Sequence, residues 1–244
     1  MVNLNNNLMS ENISIVLCTY NEIDSIENTI IKIKKEITNL ELVIVDDNSS
    51  DGTIEVINKY CDNKKIKFIL RKNVSGFASA VVDGIKNTSS NKIGWIDTNM
   101  PYLIDYIPKM DRKLNEESDI VILSRYVSGG KDKRPFLRSM ASKVLNIFCK
   151  LIFRSKINDF TSGIFLMKRK ILNKVSFKGY GHGDFFIEFL YNVEKKGFNV
   201  SEIPFVQEED AHPDKSKSAP NLYKFLYLGM KYIIRIFATL FRKN

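Results

Sequence analysis

The chain has 244 residues, 44% of them hydrophobic and 27% charged, with a formal net charge of +9. The length suits one large domain or two small ones, and the composition is globular, with enough apolar surface for a full core. Three scattered cysteines, Cys18, Cys61 and Cys149, belong to no close Cys/His cluster, which argues against a zinc site and suits reduced thiols in the cytosol.

Residues 1–12 are Asn-rich and polar, without the apolar core of a signal peptide, and read as a frayed leader. Residues 13–18 (ISIVLC) then read as a buried strand. Asp24, with Glu27 three residues on, gives a capping-box-like start to a helix over 25–36. LELVIV (40–45) is a second strand, a helix follows Asp51-Gly52, and KIKFIL (65–70) is a third strand. Residues 76–86 read as helix, KIGWID (92–97) as a fourth strand, 104–114 as helix and DIVILS (119–124) as a fifth strand. This alternation predicts a mostly parallel sheet with helices on both faces. After residue 124 come a Gly-Gly and basic loop (129–134), a helix near 136–153 and a polar turn (158–163). A short strand, two helices and NVSEIPF (199–205) follow.

In open α/β sheets, ligands bind at the carboxyl ends of the strands. Four polar clusters fall there: CTYNE (18–22), Asp46-Asp47-Asn48, Asp97-Thr98-Asn99 and Ser124-Arg125. One carboxylate pair could be a capped turn; four clusters along one edge point to a site. A dinucleotide fold requires G-x-G-x-x-G after the first strand, and CTYNE has no glycine; a Walker-type loop is also missing. Ligand phosphates are then expected to be held another way, through a metal at Asp97.

CTYNE, VDDNSSDGT (45–53), Arg71 with GFASAVVDG (76–84), IDTN (96–99), SRYVSGG (124–130), DFTSG (159–163) and Ser216-Lys217 together resemble glycosyltransferase family 2. Within it they resemble the dolichyl-phosphate mannose synthase-like branch, whose members are polyprenyl-phosphate glycosyltransferases. The resemblance covers residues 13–217 and implies a GT-A fold, with a nucleotide-sugar half (13–124) and an acceptor half (125–217). It implies that Thr19, Tyr20, Glu22, Asp46 and Asp47 contact the donor nucleotide, and that Asp97 is the first carboxylate of a D-x-D motif. Asp97, with Asn99 at the second carboxylate position, would hold Mg²⁺ or Mn²⁺ against a donor diphosphate of GDP-mannose or UDP-glucose type. Ser124, Arg125, Arg138, Ser142 and Lys217 would grip the acceptor phosphate, a role that suits the planar arginine fork. Arg138 and Ser142 are spaced i, i+4, which puts them on one helix face. Asp159 would order the acceptor side, although a turn cap is an equal alternative. The implied chemistry is an inverting, in-line displacement by an already anionic phosphate, so His182 and His212, the two histidines, are expected at the surface.

The chain departs from the family pattern at Cys18 for proline, Asn99 for a carboxylate, Pro101 for glutamine and Ile164-Phe165 for Phe-Arg. Acidic Gln207–Asp210 stands where an arginine is expected. Two alternatives stay open: a glycan or protein acceptor, and a nucleotide-sugar-binding homologue with weakened catalysis. Between Lys215 and the end there are seven basic residues and no acidic one, which suits an anionic partner. No basic-aromatic motif of the nucleic-acid type appears. Residues 222–241 are mostly apolar, with Lys224, Lys231, Arg235 and Arg242 spaced 7, 4 and 7, a narrow basic stripe. Spanning a bilayer would place Lys231 and Arg235 mid-membrane at about 2.5–3.5 kcal/mol each. A helix over 218–244 lying in the cytoplasmic membrane interface avoids that cost. Packing on the protein's own core or in a homodimer are the alternatives.

Overall fold

The computed structural model describes residues 12–37, 39–62, 64–181, 183–209 and 222–241. β1 (Ile13–Thr19) and β2 (Leu40–Asp46) are buried along their length and mostly apolar, broken only by Ser14 and Glu41 near their starts and by polar tips, as interior parallel strands covered on both faces require. α1 (Ile23–Glu36), α2 (Thr53–Tyr60) and α3 (Phe77–Lys86) connect them with β3 (Ile66–Leu70) and β4 (Lys92–Trp95). α3 lies close on the sheet because position 84 is glycine: a Cβ there would come within 2.3 Å of Val16.

The chain then forms α4 (Ile107–Glu116), β5 (Ile120–Ser124), β6 (Lys131–Asp132), α5 (Phe136–Phe153), β7 (Phe165–Lys168) and α6 (Asp184–Lys195). It closes with β8 (Val200–Pro204), β9 (Val206–Gln207) and α7 (Leu222–Phe241). The main sheet has the order β3-β2-β1-β4-β7-β5-β8, and β6 pairs with β9 in a small second sheet. Every pairing in the main sheet is parallel except those of β7, which runs antiparallel to both β4 and β5. The expected mostly parallel α/β sheet is therefore present, with β7 inserted antiparallel between β4 and β5.

The reversed β7 matters for function. Phe165 opens β7 opposite Trp95 and Ile122, near the carboxyl ends of β4 and β5. The DFTSG turn just before it thus joins the strand-tip edge from the N-terminal side. Phe165 stacks on Phe177 and Phe186, a buried aromatic layer that fixes α6 on this part of the sheet.

Two local expectations are corrected. α1 begins at Ile23 with no side-chain cap, Asp24 lies inside its first turn, and Glu27 accepts a hydrogen bond from Tyr60. The helix start is held instead from 28 residues away, where Asp51 Oδ2 accepts the Ile23 amide at 3.1 Å. Ahead of α4, a 3₁₀ turn occupies Pro101–Tyr106, because Pro108 suits only the first turn of the α-helix.

Candidate active site at the strand tips

The first two strand ends are laced together. Thr19 Oγ1 donates to Asp46 Oδ2 at 2.7 Å, and Asp46 also accepts the Ser49 amide and hydroxyl at 2.7 and 2.6 Å. Both Thr19 and Asp46 are buried. Their polar atoms bind each other and shape the turn that would receive a nucleotide. Asn21 and Asn48 take left-handed backbone conformations, and Asn21 Oδ1 accepts the Ser50 amide. The result presents Tyr20, which is 49% exposed, and half-buried Glu22 at the edge.

Asp47 is ion-paired to Arg71 at 2.6 Å and accepts the Gly76 amide at 2.8 Å. Arg71 also donates to Ser79, Asp83 and the Gly76 carbonyl. Burial alone would lower the Arg71 pKa; Asp83 and Asp47 outweigh it and hold the guanidinium above its ordinary value. Arg71 therefore secures the loop entering α3 beside the β2 tip. Its position after the third strand is the signal that could have identified this role.

At the β4 tip, half-buried Asp97 and exposed Asn99 flank Thr98, whose hydroxyl donates to the Cys18 carbonyl and whose own carbonyl accepts from Thr29. Burial pushes the Cys18 thiol pKa up, and the negative charges of Asp47 and Asp97 push it further. Asp97 and Asn99 offer only oxygen donors, which fits a hard divalent cation. Among the described residues no three His, Cys, Asp or Glu side chains group around one point, so the protein's share of such a site is partial. Burial raises the Tyr102 pKa against the opposing effect of the Glu208 amide that its hydroxyl accepts, and the negative charges of Glu208 and Asp97 raise it further. The chain leaving β9 therefore passes the β4 tip. Lys217, with Ser216, His182 and His212, lies outside the described residues.

The acceptor-side residues form a closed cluster. Arg125 donates to both Asp159 oxygens at 2.8 and 2.7 Å, and to Thr161 at 2.7 Å. Its side chain is 2% exposed and that of Asp159 is fully buried. Burial would lower the arginine pKa and raise the aspartate's, but their mutual attraction reverses both directions. The guanidinium spans the turn before β7, where Asp159 also accepts the Thr161 amide. Ser124 is buried as well, and its hydroxyl accepts the Tyr126 amide. Arg138, in the first turn of α5, and Ser142 one turn later are half-buried, as the i, i+4 spacing predicts. Ser142 hydrogen-bonds Thr161 at 3.2 Å, which ties α5 to the clamp.

The C-terminal stripe also turns out differently. Arg235 is 5% exposed and faces α6, ion-paired to Asp184 at 3.1 Å and Glu188 at 3.4 Å. Lys231 stays exposed, and beside it Met230, Ile234 and Phe241 are 61%, 64% and 82% exposed. Among the described residues no helix is long and apolar enough to cross a membrane.

A Pyrococcus furiosus protein named dolichol-phosphate mannosyltransferase is 30% identical over 220 residues, covering 88% of this chain and 61% of that one. The chain thus spans less than two thirds of that relative. A polyprenol monophosphomannose synthase of Mycolicibacterium smegmatis is 22% identical over 91% of this chain and 86% of its own length. Among solved structures, Mycobacterium tuberculosis glucosyl-3-phosphoglycerate synthase with Mn²⁺, UDP and phosphoglyceric acid shares the fold. Its TM-score is 0.72 at 15% identity, covering 96% of this chain and 80% of that one. Residues 14–176 match the family described as glycosyl transferase family 2, and the chain belongs to that family.

Proposed function

We propose that the chain is an inverting, metal-dependent hexosyltransferase that moves a sugar from a nucleotide-sugar to a polyprenyl phosphate at the cytoplasmic face of a membrane. The observation that carries this is the convergence at one sheet edge of Tyr20 and Glu22, the Arg71–Asp47 pair, and Asp97 with Asn99. Tyr20 and Glu22 would contact the base and ribose. Asp97 and Asn99 would hold Mg²⁺ or Mn²⁺; when bound, such an ion neutralises charge on the departing nucleoside diphosphate. Arg138, Ser142 and Lys217 would face the acceptor phosphate, while the Arg125–Asp159 pair holds the turn beside them. A phosphate oxygen attacks without prior deprotonation, so no side chain is assigned as general base.

Two observations support a lipid-borne acceptor. The curated relatives named above are polyprenyl- or dolichol-phosphate enzymes. In addition, α5 and α7, which touch through Phe148 and Phe237, both expose apolar side chains, including Phe136 at 78% and Leu151 at 70% on α5. Neither helix carries an acidic residue, so the face suits an anionic leaflet.

A screen of GDP- and UDP-sugars with a short polyprenyl phosphate, in Mg²⁺ or Mn²⁺, tests the assignment. Transfer with at least one donor is the expected result. Nucleotide binding without transfer to any acceptor would instead favour the weakened homologue that Asn99 suggests, and transfer to a glycan or protein alone would move the acceptor class.

A further inference from the structure

The inward face of α7 does more than cover α6. Arg235 donates to the Tyr180 carbonyl at 2.8 Å, and its guanidinium lies 4.1 Å from the Tyr180 ring centroid. On its other edges it is ion-paired to Asp184 and Glu188 of α6. One turn earlier, the Tyr232 hydroxyl accepts the Gly183 amide, and a Cβ on Gly183 would sit 2.5 Å from that oxygen. The chain joining Phe177 to α6 is glycine-rich and loses much conformational freedom when ordered. α7 supplies the contacts that hold it.

The far side of this turn rests on the nucleotide half. A Cβ on Gly179 would be 3.6 Å from the Ser79 Cα, so the turn lies against the start of α3. Ser79 is the residue whose hydroxyl receives Arg71 Nη1 and donates to the Gly76 carbonyl. A continuous set of contacts therefore runs from Arg235 through Tyr180 and Gly179 to Ser79, Arg71 and Asp47.

We infer that Arg235 is a positioning residue for donor binding, acting by holding the Gly179–Gly181 turn against α3. The donor-binding consequence rests on the function proposed above; the mechanical link does not. Arg235→Lys keeps a cation for the two buried carboxylates but loses the planar fork and the stacking on Tyr180. Tyr180→Ala removes the ring while leaving both ion pairs. Amide hydrogen exchange and donor kinetics on the full-length protein, with GDP or UDP and Mn²⁺ as binding probes, then read the link. In both variants, exchange at Gly179–Gly181 and at residues 76–79 is expected to rise about tenfold, with donor KM up about fivefold and kcat within about twofold. Exchange at β1 and β2 stays at the wild-type level. Wild-type exchange at both segments in two folded variants overturns the inference, as does a rise spread evenly over the whole sheet. If the wild-type chain binds no nucleoside diphosphate, the proposed function fails, and a local rise at residues 76–79 still upholds the link from α7 to α3.

Discussion

The two halves of the strand-tip edge both close a buried arginine on a carboxylate, Arg71 on Asp47 and Arg125 on Asp159, but they differ in what they leave at the rim. On the nucleotide side, the charged groups at the tips are bracketed by turns that leave Tyr20, Glu22, Asp97 and Asn99 at the rim. On the acceptor side, the charges close on one another: Arg125 on Asp159, and Arg134 on Asp132 at 2.6 Å. The difference follows from burial. A cation at 2% exposure is stable only with a bonded partner, so a buried arginine is spent on architecture. Asp97 is only half-buried and carries less of that desolvation cost. Under the proposed function, the contrast separates residues that hold the edge from residues that would meet a substrate.

The largest expected effect breaks the closed half. Asp159→Ala leaves the Arg125 guanidinium buried without its main counter-charge, a loss of about 3–5 kcal/mol. For a chain of this size that is about 10 °C in Tm, read by thermal unfolding. An unchanged Tm would mean that Arg125 finds another partner or reaches solvent, and the contrast between the halves would go with it.

Asp97→Ala tests the open half. Transfer is expected to fall at least about 100-fold, the scale of one lost electrostatic contact to a departing diphosphate. Thermal stability should stay within about 1 kcal/mol, since the side chain is half-exposed. Full turnover in this variant would remove the metal role from the β4 tip.

How much of this was readable from sequence depends on the range of the interactions. Buried parallel strands announce themselves because β1 and β2 are mostly apolar on both faces, and their tips follow directly. The direction of β7 does not: FLMK is three apolar residues and a lysine, a run that fits either orientation. The Arg125–Asp159 clamp joins residues 34 apart, and nothing local to either marks it. The same holds for α7, where the basic stripe predicts a solvent- or lipid-facing edge. Asp184 and Glu188, on another helix, draw Arg235 inward and leave the apolar side out.

A third measurement asks whether the opposite end of the sheet obeys the same rule. Glu41, buried at the start of β2, accepts hydrogen bonds from Ser14 and Ser89 and pairs with Lys67 at 2.6 Å. Burial alone would raise its pKa, but Lys67, Ser14 and Ser89 together lower it from 4.5 to about 2. A folded-state pKa below the unfolded value stabilises the fold above about pH 4.5, and this contribution is lost as pH falls towards 2. Glu41→Gln should flatten that part of the stability profile, by about 2 kcal/mol, with transfer at neutral pH little changed. A profile as steep as the wild type's would show that other carboxylates set the acid limit.

The smallest effect concerns the face that neither half uses. Ile234 is 64% exposed on the outer side of α7, away from the Arg235 contacts. In water, Ile234→Ser should leave stability within about 0.5 kcal/mol, because little apolar area is lost from the core. On vesicles of mixed zwitterionic and anionic phospholipid the same change should weaken binding about fivefold or more, from the lost burial of one aliphatic side chain. The sign of the salt response separates the two components of that binding. Screening weakens the attraction of the basic residues for the anionic leaflet, while the apolar contribution persists. Ile234→Ser should therefore reduce the fraction of binding that survives at high salt. If the variant instead binds vesicles as well as the wild type, the outer face of α7 does not enter the lipid, and a second copy of the chain becomes the occupant to test by its concentration-dependent mass.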